Sequence, residues 1–91
     1  MAKVTLQGFI LVPENELEAV KNELINHKRL TLEEAGCLTF SVTESPNNPC
    51  CFDVYEEFES KLAFEAHQTR VQSSYWGKVT VNVERYYEIF E

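Results

Sequence analysis

The segment from Lys3 to Val12 constrains the fold most strongly, because it carries large apolar side chains on both of its faces. Consecutive residues of a β-strand point to opposite sides of a sheet, so the alternating pattern predicts a strand. One face consists of Val4, Leu6, Gly8, Ile10 and Val12, and the other consists of Thr5, Gln7, Phe9 and Leu11. A strand that is apolar on two sides is covered on two sides. We therefore expect a sheet that lies between two other layers.

The remaining patterns predict two helices and three further strands. The predicted helices span Glu14 to Glu34 and Lys61 to about Trp76, and the predicted strands span Cys37 to Thr43, Cys50 to Phe58 and Val79 to Phe90. The order β-α-β-β-α-β is that of the ferredoxin-like α+β fold. It predicts one domain over residues 1–91, with a four-stranded antiparallel sheet and both helices on one face.

The other face of the predicted sheet is left without a cover. It is expected to carry Phe9, Leu11, Tyr55 and either Tyr86 or Tyr87. A soluble monomer rarely exposes an apolar surface of that size. A second copy of the chain is the simplest cover, so we expect a homodimer with sheets face to face. Each subunit of this dimeric α+β barrel would keep a cleft between its sheet and its helices.

The charge balance excludes several classes of partner. Eight Lys and Arg residues against fifteen Asp and Glu residues give a net charge of −7. Nucleic acids and anionic membrane surfaces are bound by clustered Lys and Arg, which this chain lacks. No apolar run of about 18 residues predicts a membrane span. We therefore expect neither nucleic-acid binding nor membrane association.

The cysteines and the first residues predict a cytoplasmic location. Cys37, Cys50 and Cys51 form no Cys-x-x-Cys pair, and a bridge between the adjacent two would be strained. We expect reduced thiols that pack as small apolar groups. Residues Met1 to Leu6 enter the alternating pattern without the apolar block of a signal peptide.

Three short segments carry a resemblance to a known family. They are Glu33–Phe40 (EEAGCLTF), Phe52–Glu59 (FDVYEEFE) and Leu62–His67 (LAFEAH). They resemble the Glu-x-Gly-Cys-Leu-x-Phe/Tyr, Phe-x-x-Tyr-Glu-x-Trp and Ala-Leu-x-x-His motifs of the antibiotic biosynthesis monooxygenase family. The resemblance covers nearly the whole chain. It implies a dimeric α+β barrel, and it implies the activity of the family's cofactor-independent quinol monooxygenases.

Two positions depart from the family pattern. Gln72 stands where members often carry a second histidine, and Phe58 stands where they commonly carry tryptophan. The first departure removes a proton carrier, and the second removes an indole N–H donor. We treat both positions as candidate substrate-binding positions.

Oxidation by O2 without a cofactor needs a base, hydrogen-bond donors for the substrate anion and a dry cavity. His67 is the candidate base, because the predicted helix turns it toward the sheet and an imidazole transfers protons near neutral pH. The sequence has no metal or nucleotide fingerprint, so we expect no cofactor and no metal. The partners expected are a small-molecule substrate and a second copy of the chain.

Further candidates for substrate binding surround this histidine in the prediction. Aromatic rings and amides that could stack on or polarise a substrate are Tyr55, Trp76, Tyr75, His27, Asn82 and Gln7. Each also has a purely structural interpretation, as a packing or surface residue. Arg70 and Arg85 either hold an anionic substrate or pair with surface carboxylates. The acidic residues of the third strand and its end are expected to be mostly solvated, with no catalytic carboxylate pair.

Two other functions stay open at the level of sequence. Some isomerase-like members act on a phosphorylated signalling sugar and have two helix histidines, as His27 and His67 would be here. A non-catalytic dimer that binds a small ligand is the other alternative. An isomerase turns over without oxygen, and a binding module forms no product.

Overall fold

The computed structural model describes residues 3–91, and it confirms the predicted ferredoxin-like fold. The strands are β1 (Val4–Leu11), β2 (Cys37–Ser45), β3 (Asn48–Phe58) and β4 (Glu84–Phe90), and the helices are α1 (Leu17–Leu32), α2 (Lys61–Ser73) and α3 (Tyr75–Val79). The four strands form one antiparallel sheet in the order β2-β3-β1-β4. Met1 and Ala2, which begin the N-terminal segment interpreted above, lie outside the described residues.

The first helix is shorter than predicted at both ends. Residues Glu14–Glu16 form a single 3₁₀ turn, and α1 ends at Leu32 rather than at Glu34. Gly36 then adopts a left-handed conformation with φ of 88°, which glycine tolerates because it has no Cβ. A Cβ at Gly36 would lie 2.6 Å from Cβ of Ala63, so the turn before β2 is packed directly against α2.

The second predicted helix is broken at Ser74. The backbone there is extended, and the Ser74 hydroxyl donates to the carbonyl of Val71 at 2.7 Å and accepts from the amide of Gly77 at 3.3 Å. The hydroxyl thus closes α2 and caps α3. The prediction of a strand from Val79 is wrong for its first five residues, which end α3 and form a turn before β4. Helix and turn contacts override their alternating pattern.

The apolar core lies between the sheet and the helices. Its strand residues alternate along each strand, so their side chains point to the same side of the sheet: Val4, Leu6 and Ile10 on β1, and Phe52, Val54 and Phe58 on β3. Val20 of α1 and Phe64 of α2 pack onto this surface. The core confirms the predicted inward face of β1.

Among residues 3–91, no helix packs on the opposite face of the sheet. In the β1–β4 pairing Phe9 lies opposite Tyr86 and Gly8 lies opposite Tyr87. Residues that pair across strands share a face, so Tyr86 is on the open face and Tyr87 is on the helix-covered face. The rings of Phe9 and Tyr86 stack with centroids 4.9 Å apart, and Phe9 remains 37% exposed.

The described residues also bear on the expected state of the cysteines and on the expected absence of a membrane span. Cys37, Cys50 and Cys51 are all free thiols. Within residues 3–91, no helix combines the length and the apolar character needed to cross a membrane.

Candidate active site

A cavity of about 210 Å³ lies between the sheet and the helices. Its walls are largely apolar, with contributions from Leu6, Ile10, Phe40, Val42, Val54 and Val71. Its polar and aromatic lining residues are His27, Glu56, His67, Gln68, Trp76, Arg85 and Tyr87. The cavity therefore combines apolar side chains with a few convergent polar groups, which is typical of small-molecule sites.

His67 projects into the cavity from the middle of α2 and is only 3% exposed. Its Nδ1 lies 2.9 Å from Oε1 of Glu34, and Oε2 of Glu34 accepts a hydrogen bond from Nε of Arg70. Arg70 also donates to Oγ1 of Thr31 at 3.0 Å. A carboxylate held by arginine favours the tautomer with hydrogen on Nδ1. Nε2 of His67 is then the hydrogen-bond acceptor.

Glu56 of β3 faces the same imidazole from the sheet. Its Oε1 lies 3.7 Å from Nε2 of His67, and the carboxyl is buried, with 6% of the residue exposed. Burial, reinforced by the negative charge of Glu34, raises the pKa of Glu56 to about 7. Burial also lowers the pKa of His67, although Glu34 opposes that shift. Near neutral pH, the pair thus consists of a neutral imidazole and a carboxyl that is partly protonated.

His27 of α1 forms a second, different polar feature of the cavity. Its ring stacks on Trp76 with centroids 4.5 Å apart and an angle of 5° between the planes. Its Nδ1 is buried without a hydrogen-bond partner among the described residues. Burial, together with the charges of His67 and Arg70, lowers the pKa of His27 to about 3. His27 is therefore a neutral ring with one buried nitrogen that a ligand could satisfy.

Strand β4 supplies the remaining polar wall. The guanidinium of Arg85 donates to Oγ1 of Thr80 at 2.7 Å and to the carbonyl of Val83 at 3.2 Å. Within residues 3–91 it forms no ion pair with a carboxylate. Burial, with the charge of Glu56, raises the pKa of Tyr87 to about 12, so its hydroxyl is a hydrogen-bond donor rather than an anion.

Four of the sequence-predicted site residues come together. His67, His27 and Trp76 line the cavity, and the ring of Phe58 lies 4.9 Å from that of His67 at the edge of the core. Phe58 is fully buried, so it supports the imidazole rather than facing the cavity.

The other five predicted residues lie outside the cavity. Tyr55 and Gln7 are opposite one another on the open face, where the Tyr55 hydroxyl donates to Glu57. Tyr75 begins α3 and is 66% exposed. Asn82 lies in the turn before β4 and donates to Glu16 at 2.9 Å. Gln72 is exposed on α2 and borders a separate outer groove.

The sequence analysis missed the carboxylates that flank His67. Glu56 was expected among the mostly solvated acidic residues. It alternates along β3 with Phe52, Val54 and Phe58, so it points to the same buried face as they do. This alternation was the sequence signal that could have identified Glu56 as a cavity residue. The three segments that carry the family resemblance meet here, because they contribute Glu34, Glu56 and His67 respectively. Among residues 3–91, no three His, Cys, Asp or Glu side chains are arranged to hold a metal ion.

Solved structures with the same fold come from several organisms. A provisionally named antibiotic biosynthesis monooxygenase from Nitrosomonas europaea superposes with a TM-score of 0.82 at 21% identity, covering 97% of this chain and 86% of that one. One from Deinococcus radiodurans, also provisionally named, gives 0.82 at 17% identity, with 99% and 91% covered. A protein of unknown function from Bacteroides thetaiotaomicron, described as a possible oxidoreductase, gives 0.79 at 21% identity, with 99% and 97% covered. At these identities the likeness shows the fold alone.

The family assignment comes from a separate comparison. No curated protein matches the chain. The family model for antibiotic biosynthesis monooxygenase matches residues 3–76, which include His67 and the side chains around it, Glu34, Arg70 and Glu56. The chain belongs to the antibiotic biosynthesis monooxygenase family.

Proposed function

We propose that this protein is a cofactor-independent monooxygenase that oxidises a small hydroxylated aromatic or quinol with O2, and that His67 accepts the substrate proton. Family membership supports the general monooxygenase role. The observation that carries the proposal is a buried imidazole in a largely apolar cavity, with Nδ1 held by Glu34 and Nε2 free to accept a proton.

The chemistry follows from the electronic structure of O2. Triplet O2 takes electrons one at a time, and a phenolate or anthrolate is electron-rich enough to supply them. The protein must therefore remove one proton and hold the resulting anion away from water. His67 takes the proton, the apolar walls exclude water, and donors on Arg85 and Tyr87 stabilise the negative oxygen.

We also propose that the active form is a homodimer joined through the open faces of two sheets. Phe9 and Tyr86 stack on this face, and both remain exposed in a single chain. Phe90 lies on the same face and is also exposed. A second copy of the sheet would cover these rings without closing the cavity, which lies on the other side.

A proton-transfer enzyme, such as an isomerase of a phosphorylated metabolite, is the second candidate function. The observation that favours it is the pair of imidazoles His27 and His67, whose centroids are 6.1 Å apart in one cavity that also contains Arg85. Two rings at that distance can exchange protons with two positions of one substrate.

The test is oxygen consumption by the purified protein with anthrone and 1,4-naphthalenediol as probes. We expect O2 uptake with product formation, and we expect His67→Ala to abolish it, because acid–base groups typically contribute about 10²- to 10⁴-fold. Glu65→Gln, at an exposed position of the same helix, is the matched control and should retain the rate. Turnover in the absence of O2 would favour the isomerase, and binding without product would favour a ligand-binding module; either result overturns the proposal.

A further inference from the structure

We propose that Glu56 is the proton donor that complements His67, so that the two side chains work as an acid–base pair on the bound substrate. The inference rests on the monooxygenase function proposed above. It assigns a catalytic role to a carboxyl that the sequence analysis expected to be solvated.

The position of the Glu56 carboxyl supports its pairing with His67. The side chain of Glu56 is buried and lines the cavity, and among residues 3–91 its carboxyl forms no hydrogen bond. A buried carboxyl that lacks a partner is costly in its charged form. Its Oε1 lies 3.7 Å from Nε2 of His67, beyond hydrogen-bond distance, so a substrate oxygen entering the cavity would find both groups side by side.

The two carboxyls that flank the imidazole differ in their partners. Glu34 accepts hydrogen bonds from Arg70 and His67, so its negative charge is compensated. Among residues 3–91, no Lys or Arg forms an ion pair with Glu56, and the Arg70 guanidinium is bonded to Glu34 instead. Two carboxylates beside one neutral ring repel each other, and the uncompensated one takes up the proton.

The groups that face Glu56 from other elements agree with this assignment. They are His67 from α2, His27 from α1, Glu34 from the turn after α1, the Cys37 thiol from β2, and Arg85 and Tyr87 from β4. Neither imidazole favours its charged form, and Tyr87 keeps its proton. Arg85 is bonded to the Thr80 side chain and to the carbonyls of Thr80 and Val83. The protonated form of Glu56 is thus the form that its surroundings favour.

The reaction balances with these two groups alone. His67 takes the hydroxyl proton of an anthrol, and O2 then accepts one electron and combines with the resulting radical to give a carbon-bound peroxide anion. Glu56 protonates the distal peroxide oxygen. The carbon loses its remaining hydrogen as a proton while the O–O bond breaks, so a carbonyl forms and the released hydroxide becomes water with that proton. The substrate supplies all four electrons that O2 accepts.

His67 and Glu56 then return to their starting protonation states within the cavity. The imidazolium of His67 returns its proton to the Glu56 carboxylate after a shift of about 1 Å brings them to hydrogen-bond distance. The proton taken from the substrate therefore replaces the proton given to the peroxide, and no proton needs to leave the cavity.

The experiment separates deprotonation from the later step, with anthrone as the probe. Without O2, the wild-type protein and Glu56→Gln should both form the coloured anion, whereas His67→Ala should not. With O2, Glu56→Gln should lose about 10²-fold or more in kcat with little change in KM. Glutamine has the same size, and the substitution breaks no side-chain hydrogen bond among residues 3–91, so the variant should fold. Glu65→Gln is again the control.

Each outcome has a distinct meaning. Unchanged kcat in Glu56→Gln overturns the proposal, and so does loss of the anion in that variant, which would make Glu56 the base. No anion and no turnover in the wild type would instead contradict the monooxygenase function itself. In that case infrared difference spectra of wild type against Glu56→Gln still decide the protonation: absence of a carboxylic-acid carbonyl band at neutral pH overturns the proposal.

Discussion

The two faces of the sheet are built from the same strands but have opposite chemistry. Tyr55 and Glu56 are neighbours in sequence, yet Tyr55 lies on the open face and Glu56 lines the buried cavity. Tyr86 and Tyr87 are separated in the same way on β4. The covered face holds titratable groups in a low-dielectric setting, and the open face holds exposed rings. We therefore expect changes on the covered face to alter pH dependence and changes on the open face to alter association.

The largest effect is expected from His27→Phe on the covered face. Since the pKa of His27 is lowered from 6.5 to about 3, the unfolded chain binds more protons than the folded protein in that range, and stability falls as pH falls. Removing the imidazole should reduce the loss of unfolding free energy between pH 7 and pH 3 by slightly more than about 4 kcal/mol. Chemical denaturation at a series of pH values measures this, and parallel curves for variant and wild type would contradict it.

A charge on the open face should disrupt association. Phe9→Asp places a carboxylate among the exposed rings, and two-fold symmetry introduces it twice. We expect dimerisation to weaken by roughly 4 kcal/mol, about 1,000-fold. Sedimentation velocity at micromolar concentration measures the change. Leu62→Asp, at a 77% exposed position of α2, is the matched control and should leave the dimer intact.

Glu56→Gln should change the pH dependence of stability in the opposite direction to His27→Phe. The folded protein raises the pKa of Glu56 from 4.5 to about 7, so it binds more protons than the unfolded chain in that range, and stability falls as pH rises. The variant should remove about 3 kcal/mol of that loss between pH 4.5 and pH 8. If the unfolding free energy has the same slope against pH in the variant and the wild type, the Glu56 carboxyl is ionised in the folded protein.

The smallest effect is expected from Tyr55→Phe. Its hydroxyl donates to Glu57 on the open face, away from the cavity. Turnover of any probe that the wild type accepts should change less than twofold, while His67→Ala abolishes it. A large loss of turnover at constant dimer content would show that the open face contributes to the site, and the separation between the faces would then be wrong.

Strand parity made much of the fold predictable from sequence. The alternation on β1 fixed which residues face the helices, and the core confirms it. Pairing registers between distant strands are not encoded in one segment, so the alternative between Tyr86 and Tyr87 required the structure. The run from Val79 to Val83 alternates like a strand but belongs to α3 and the following turn, because hydrogen bonds from Thr80 to Trp76 hold it there.

The candidate site was predictable only where one helix face determined it. His67 follows from the spacing of α2, and Trp76 was included without the break at Ser74 that sets its orientation. Glu34 and Glu56 were missed because their roles depend on contacts between segments far apart in the chain. The one local sign that Glu56 lines the cavity was its position in β3, where the other residues on the same face are apolar.

Because the helix is broken at Ser74, the segment that carries Trp76 into the cavity wall is a separate short helix, α3. Helix α3 has five residues, too few for an isolated helix to be stable. It is fixed by the Ser74 and Thr80 hydroxyls and by the contact of Trp76 with His27. A Cβ at Gly77 would lie 2.6 Å from the carbonyl oxygen of Val71, so even alanine there would force α3 or the end of α2 to shift, and the nearest atoms belong to no strand. The cavity wall at Trp76 can thus be reshaped by changes at this junction that do not touch the sheet directly.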